Sequence, residues 1–259
     1  MFDAHSWGRT GAMEFQVLGP VQVSAEGRRI DLGDRKQRLV LGVLLLEPNQ
    51  LVPLARLVDL LWRESPPTTA RRIVQAHVSR LRTVLSNGGG GVMMVRRGPG
   101  YLLECDPQWI DAHRFRHLLD RSRSSEDAHD KVSLLRQALA LWRGPALADA
   151  ATEEVREELC RGLDEARLAA IEERFEAELR LGRDGQLIGE LTDLTARHPY
   201  RQKLTGHLML ALYRAGRAGE ALRVYAHTRN RLDADLGLEP GAELRRLQIA
   251  ILRADPALG

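Results

Sequence analysis

The spacing of apolar residues predicts short β-strands at the start of the chain. Apolar and polar residues alternate over residues 13–18, and comparable short segments follow at 21–25 and 29–32. Gly19-Pro20 and Glu26-Gly27 separate these segments, and both pairs are typical of turns. This part of the chain is therefore predicted to form a small antiparallel sheet.

After these strands the apolar spacing changes to the period of a helix. Residues 35–46 are predicted to form an apolar helix with Asp34 as its N-cap. A short link at 51–53 leads to a second helix over 54–62, which ends before Pro66-Pro67.

A third helix is predicted over residues 69–85, and a hairpin-like segment over 92–103 follows it. Between them lies a glycine tract, Gly88 to Gly91, which we interpret as a flexible connection because no Lys-Ser/Thr pair follows it, as a phosphate-binding loop would need. The order of strands, three helices and hairpin predicts an α+β winged helix-turn-helix domain.

The third helix combines an apolar face with an unusual polar face. Its apolar residues recur at helical spacing: Ile73, Val74, Val78, Leu81, Val84 and Leu85. The polar residues that fall largely elsewhere on the helix are Arg71, Arg72, Gln75, Ser79, Arg80 and Arg82. The 38 residues from Ser65 to Leu102 contain six arginines and no Asp or Glu. Such a face suits a phosphate-lined groove, and the alternative, a solvated basic face, is disfavoured because solvated faces usually mix both charge signs.

The second half of the chain is almost wholly helical in pattern. Amphipathic stretches cover residues 111–123, 127–141 and 153–181. A repeat follows, in which Leu181-Gly182-Arg183 recurs as Ala215-Gly216-Arg217 at an offset of 34 residues. This is the period of tetratricopeptide-like helical hairpins. We therefore predict an all-α tetratricopeptide-like repeat domain, with a longer helix before Pro240 and a last helix over 243–252.

Length and charge agree with two domains. The chain has 259 residues and a net charge of +3, yet residues 14–104 carry 13 basic and 8 acidic side chains. We predict a flexible leader over 1–12, a DNA-binding domain over 13–106 and a helical domain over 107–259. The leader lacks the apolar core of a secretory signal, and no apolar run reaches membrane-spanning length. A cytoplasmic, nucleoid-associated protein is expected, and Met13 is an alternative start to Met1.

The sequence contains no arrangement that predicts catalysis. Cys105 and Cys160 lie far apart without metal-ligand spacing, so free thiols are expected. The histidines of the helical region also lack metal spacing, and no nucleophile, base and acid stand in a recognisable order. We predict that the protein is not an enzyme and uses neither a cofactor nor a metal.

Two segments resemble the recognition helix and wing of response-regulator output domains. These are Val74-Gln-Ala-His-Val-Ser-Arg-Leu-Arg82 and Arg97-Gly-Pro-Gly-Tyr101. The resemblance implies DNA contacts at Arg72, His77, Ser79, Arg80, Arg82 and Arg97. Arg71, Gln75 and Arg96 complete the candidate set, because they lie on the same helix face or at the wing tip.

Further phrases are similar to the bacterial transcriptional activation domain: Leu141–Leu147, Arg167–Arg174, Leu208–Arg217 and Leu236–Leu244. With the winged helix, the chain resembles a small member of the Streptomyces antibiotic regulatory protein family. The resemblance implies an activator of a secondary-metabolite gene cluster that binds direct repeats near the promoter −35 region. It also implies contacts with the sigma factor and other subunits of RNA polymerase holoenzyme, and a homodimer at least on DNA.

Two other classes remain open from the residues alone. The helical repeats are also typical of protein-interaction adaptors, in which DNA binding would be incidental. An enzyme regulated by a repeat domain is the third class. Salt-dependent binding to promoter DNA separates the first class from the other two.

Overall fold

The structure is a computed structural model that describes residues 13–86 and 91–258. The predicted leader over 1–12 and Gly88 to Gly90 of the glycine tract lie outside the described residues. The described chain divides into two compact units. The first comprises residues 13–121 and 137–167, and the second comprises residues 122–136 and 168–258.

The predicted N-terminal strands form a three-stranded antiparallel sheet. The strands are β1 (Met13–Gln16), β2 (Gln22–Ala25) and β3 (Arg28–Ile30), in the order β1-β2-β3. Phe15 lies opposite Val23, and both side chains are buried. Burial of alternate residues on one face explains the alternating pattern in the sequence.

Three helices follow at the predicted positions: α1 (Arg35–Leu46), α2 (Leu54–Trp62) and α3 (Ala70–Ser86). Asp34 is the N-cap of α1, and its carboxylate accepts a hydrogen bond from the Gln37 backbone N–H at 2.9 Å. Helices α1 and α2 both pack against α3. The predicted helix-turn-helix arrangement is confirmed.

The wing is part of a second sheet, made of β4 (Val52–Pro53), β5 (Met93–Arg97) and β6 (Gly100–Glu104), in the order β4-β6-β5. The predicted link at 51–53 is therefore partly a strand, which is too short to give an alternating pattern. Gly100 lies so close to β4 that a Cβ there would overlap the Val52 carbonyl oxygen. Tyr101, the next residue, is buried and lies opposite Val52 of β4.

Residues beyond the predicted boundary at 106 hold the connection between β1 and β2. Helix α4 (Asp111–Ser124) begins with a buried carboxylate that accepts hydrogen bonds from the backbone N–H groups of Val17 and Leu18, at 2.8 and 3.1 Å. The Val21 N–H donates to Asp149 Oδ1 at 2.7 Å. The first unit is thus a winged helix with an added layer from later in the chain.

The rest of the chain is helical: α5 (Ala128–Ala140), α6 (Glu153–Arg180), α7 (Asp184–Arg197), α8 (Gln202–Arg214), α9 (Ala218–Leu236) and α10 (Ala242–Leu252). Helix α8 packs against α7, α9 and α10 around a common apolar core. Gly182 and Gly216 end α6 and α8 with φ angles of +70° and +75°. These equivalent turns confirm the predicted helical repeat.

Candidate nucleic-acid interface

Helix α3 has one buried face and one exposed face. Its buried side chains are Ala70, Val74, His77, Val78, Leu81 and Leu85. Six of the predicted contact residues are exposed: Arg71, Arg72, Gln75, Ser79, Arg80 and Arg82. The apolar face packs on α1 and α2, so the polar face is directed away from the core of the domain. The predicted division of the helix into two faces is confirmed.

The exposed face has a positive charge that acidic side chains do not neutralise. Within residues 13–86 and 91–258, neither Arg71, Arg72 nor Arg80 forms an ion pair. Nearby guanidinium groups without carboxylate partners attract a polyanion, because binding releases the counterions that the polyanion had condensed. The face can therefore offer several donors to phosphates or to base edges.

Arg82 differs from the other arginines of α3, because part of its guanidinium is already bonded. Its Nε–H donates to the Met94 carbonyl oxygen of β5 at 2.9 Å. Arg82 is exposed, yet Val78 and Leu85, four residues before it and three after it, are buried. The residue therefore lies at the border between the two faces, next to the wing.

The wing has two exposed arginines just before its tip. Arg96 and Arg97 end β5, and Gly98, with φ +50°, turns the chain towards β6. Arg97 Nη2 lies 2.9 Å from Glu104 Oε1, whereas Arg96 forms no ion pair with any described residue. The two neighbouring arginines thus differ in the charge that they leave available.

His77 is not where the family resemblance implied. Its side chain is buried, with 5% of the residue exposed, and Nδ1 lies 3.4 Å from Gln37 Oε1 and 4.0 Å from Asp34 Oδ2. Burial lowers the pKa of the imidazole, although the Asp34 carboxylate opposes that shift. The ring therefore faces α1 and not the exposed face of α3. The apolar spacing of Val74, Val78 and Leu81 could have revealed this, because position 77 lies on the same side.

Matches to known protein families cover both parts of the chain. Residues 27–103 match the transcriptional regulatory protein C-terminal domain, and residues 110–252 match the bacterial transcriptional activator domain. The transcriptional regulator RedD of Streptomyces coelicolor is 39% identical, over 96% of this chain and 73% of its own length. This chain belongs to the Streptomyces antibiotic regulatory protein family. Members of the family are transcriptional regulators, not enzymes.

Other relatives of this family member have various lengths. The regulatory protein DnrI of Streptomyces peucetius is 37% identical over 95% of this chain and 94% of its own. The regulatory protein AfsR of Streptomyces coelicolor is 40% identical, but only 25% of it is covered. The solved structure of Mycobacterium tuberculosis EmbR in complex with a low affinity phosphopeptide superposes with a TM-score of 0.88 at 33% identity, covering 94% of this chain and 66% of that one.

The first family match ends at residue 103 and the second begins at residue 110, so the predicted boundary at 106 lies between them. The first compact unit, however, also includes residues 107–121 and 137–167. The division into domains at 106 therefore stays a prediction for this regulator. None of the described helices is long and apolar enough to cross a membrane.

Cys105 and Cys160 are free and buried, as expected from the sequence. Desolvation raises the pKa of the Cys105 thiol to about 11 and that of Cys160 to about 12. Thiols with such values are poor nucleophiles at neutral pH.

Proposed function

We propose that this regulator is a sequence-specific DNA-binding activator of a secondary-metabolite gene cluster. It binds direct repeats near the promoter −35 region, as a homodimer at least on DNA, and it recruits RNA polymerase holoenzyme through the sigma factor and other subunits. The observation that carries the proposal is the exposed face of α3, where Arg71, Arg72 and Arg80 have no carboxylate partner among the described residues.

The shape of the domain supports a division of roles along this surface. An α-helix fits the major groove, where arginine is the commonest reader of guanine edges. Arg72 and Arg80 are eight residues apart, which is slightly more than two helical turns. Gln75 and Ser79 lie between them, so this face offers hydrogen-bond donors along its length. Arg96 at the wing would contact the DNA phosphate backbone next to that groove. His77 is left out of the proposed interface because it is buried.

The two predicted domains would divide the work. Residues 13–106 would contact DNA, and residues 107–259 would hold two copies at the spacing of the repeat and contact polymerase. A fragment ending at Asp106 would lose the hydrogen bonds that Asp111 and Asp149 accept from backbone N–H groups of the connection between β1 and β2. We therefore expect it to bind operator DNA more weakly than the whole chain does.

Two assays with the full chain test the proposal. The first is a mobility shift on DNA from its own gene neighbourhood, against random competitor at several salt concentrations. We expect specific binding that weakens steeply with salt, because each phosphate contact adds about 0.9 to the slope of log affinity against log salt. Arg28→Ala, an exposed arginine of β3, is the matched control and should change neither specificity nor slope.

The second assay is transcription in vitro with purified polymerase holoenzyme at saturating protein. A stimulated transcript supports the activator role. Specific binding without stimulation would contradict recruitment while leaving DNA recognition intact. Failure to bind any promoter DNA at low salt would instead favour the adaptor alternative for the helical repeats.

A further inference from the structure

The hydrogen bond between α3 and the wing suggests a role for Arg82 that differs from reading a base. Arg82 Nε donates to the Met94 carbonyl oxygen at 2.9 Å, across 12 residues of sequence. Met94 belongs to β5, which is an edge strand in the order β4-β6-β5. On its other edge β5 pairs with β6, where Met94 lies opposite Leu103.

An edge strand has backbone groups that no neighbouring strand satisfies. Here a side chain from the helix supplies the missing donor to one of them. Met94 is itself 5% exposed, so the carbonyl lies beside a packed side chain and not at the tip of the hairpin. The bond therefore joins the base of the wing to the helix that faces DNA.

The donor in this bond is Nε of Arg82 and not a terminal nitrogen of the guanidinium. Nε is the part of the guanidinium nearest the main chain, so a bond from it holds the side chain along the border of α3. The wing arginines, Arg96 and Arg97, follow Met94 two and three residues later on the same strand. A shift of β5 relative to α3 would move both of them.

We infer that Arg82 is a positioning residue: it fixes the angle of the wing on the recognition helix, and it acts on DNA mainly through Arg96 and the wing. This inference rests on the proposed function of α3 and the wing as a DNA-binding surface. The competing possibility is that Arg82 acts by its charge alone, as a direct contact to a phosphate or a base.

A pair of neutral substitutions separates the two possibilities. In Arg82→Gln, the side-chain amide nitrogen falls at the same number of bonds from Cα as Nε does, so a donor remains in position while the charge is lost. In Arg82→Met, a methyl group takes that position and the donor is lost as well. The two variants have equal charge and similar length, and they differ in the donor.

The first measurement is hydrogen exchange of the β5 amides in the full chain without DNA. We expect Arg82→Gln to protect residues 93–97 nearly as the wild type does, and Arg82→Met to exchange faster there. Equal exchange in Arg82→Gln and Arg82→Met would overturn the inference. This readout does not depend on whether the protein binds DNA, so it remains decisive if the proposed function fails.

The second measurement is operator affinity, combined with Arg96→Ala. We expect Arg82→Met to bind roughly three- to tenfold more weakly than Arg82→Gln, the effect of one hydrogen bond. Arg96→Ala should cost less affinity in the Arg82→Met background than in Arg82→Gln, because the wing is already displaced. Equal affinities of the two neutral variants, with Arg82→Lys restoring wild-type binding, would assign Arg82 to a direct charge contact. A wild-type protein that binds no operator would contradict the proposed function instead.

Discussion

Three arginines of helix α3 and two arginines of the second unit have opposite surroundings. On α3, Arg71, Arg72 and Arg80 are exposed and form no ion pair with a described residue. In the second unit, Arg174 lies 2.6 Å from Glu190, and Arg217 makes two hydrogen bonds to Glu220, both at 2.7 Å. The same residue type therefore serves two purposes within one chain.

The difference teaches where to look for a ligand. An arginine that meets a carboxylate of its own chain has its charge neutralised and its donors occupied. An arginine face without acids keeps both available for an external anion. Net charge hides this contrast, because the whole chain has a charge of only +3. The local partners of each arginine reveal it.

The largest effect is expected where a pair is buried. Glu178 is 1% exposed and lies 3.0 Å from Arg136 and 3.6 Å from Arg174. Glu178→Ala would leave the guanidinium of Arg174, 11% exposed, with Glu190 as its remaining partner. We expect a loss of about 3 kcal/mol in the free energy of unfolding.

Urea unfolding of the full chain measures this loss. Glu220→Ala, which breaks an exposed pair, is the control and should cost less than about 1 kcal/mol. Operator affinity should stay unchanged at low temperature, where both variants are folded. Equal destabilisation by both substitutions would show that burial of the pair does not matter.

The next effect concerns an unpaired arginine. Arg80→Ala should weaken operator binding by about 1–3 kcal/mol if the lost contact is to a base, and should leave random DNA largely unaffected. Arg217→Ala, which removes a paired arginine, should change neither. Competition titrations with operator and random DNA measure both losses. A loss at Arg217 as large as that at Arg80 would destroy the contrast between the two regions.

Local patterns predicted most of the fold, and contacts between distant residues account for what they missed. Asp34 as an N-cap marked the start of α1, and Pro66-Pro67 marked the region where α2 ends. Helical spacing separated the two faces of α3 because burial repeats with the helical period. Strand β4 has two residues, too few for a period, and exists because β6 pairs with it. No local pattern could have predicted that the Asp111 carboxylate accepts a hydrogen bond from the Val17 N–H, 94 residues away.

The candidate site was predicted to a similar extent. The exposure of Arg71, Arg72 and Arg80 followed from the helical period. The bond from Arg82 to Met94 did not, because it depends on how the wing returns to α3. The same periodicity places His77 on the buried face, which excludes it from the exposed face although the family resemblance implied a contact there.

A smaller effect is expected at the wing, where one arginine is paired and its neighbour is not. Arg96→Ala should lower affinity for all sequences and reduce the slope of log affinity against log salt by about 0.9. Arg97→Ala should reduce that slope by less, because Glu104 already neutralises part of its charge. Titrations of both variants at several salt concentrations give the two slopes. The reverse order would mean that the ion pair opens on DNA.

The smallest effect comes from converting a paired arginine into an unpaired one. Glu104 has 34% of its side chain exposed and lies 2.9 Å from Arg97. Glu104→Gln would free the Arg97 guanidinium. It would also remove a negative charge that lies next to the DNA backbone in the proposed complex. We expect tighter binding to all DNA sequences, by less than about 1 kcal/mol, together with a steeper salt dependence. Glu26→Gln, at the exposed turn between β2 and β3, removes the same charge far along the sequence from the wing and is the control. An equal gain from both substitutions would assign the effect to net charge; a gain confined to Glu104→Gln would assign it to the release of Arg97.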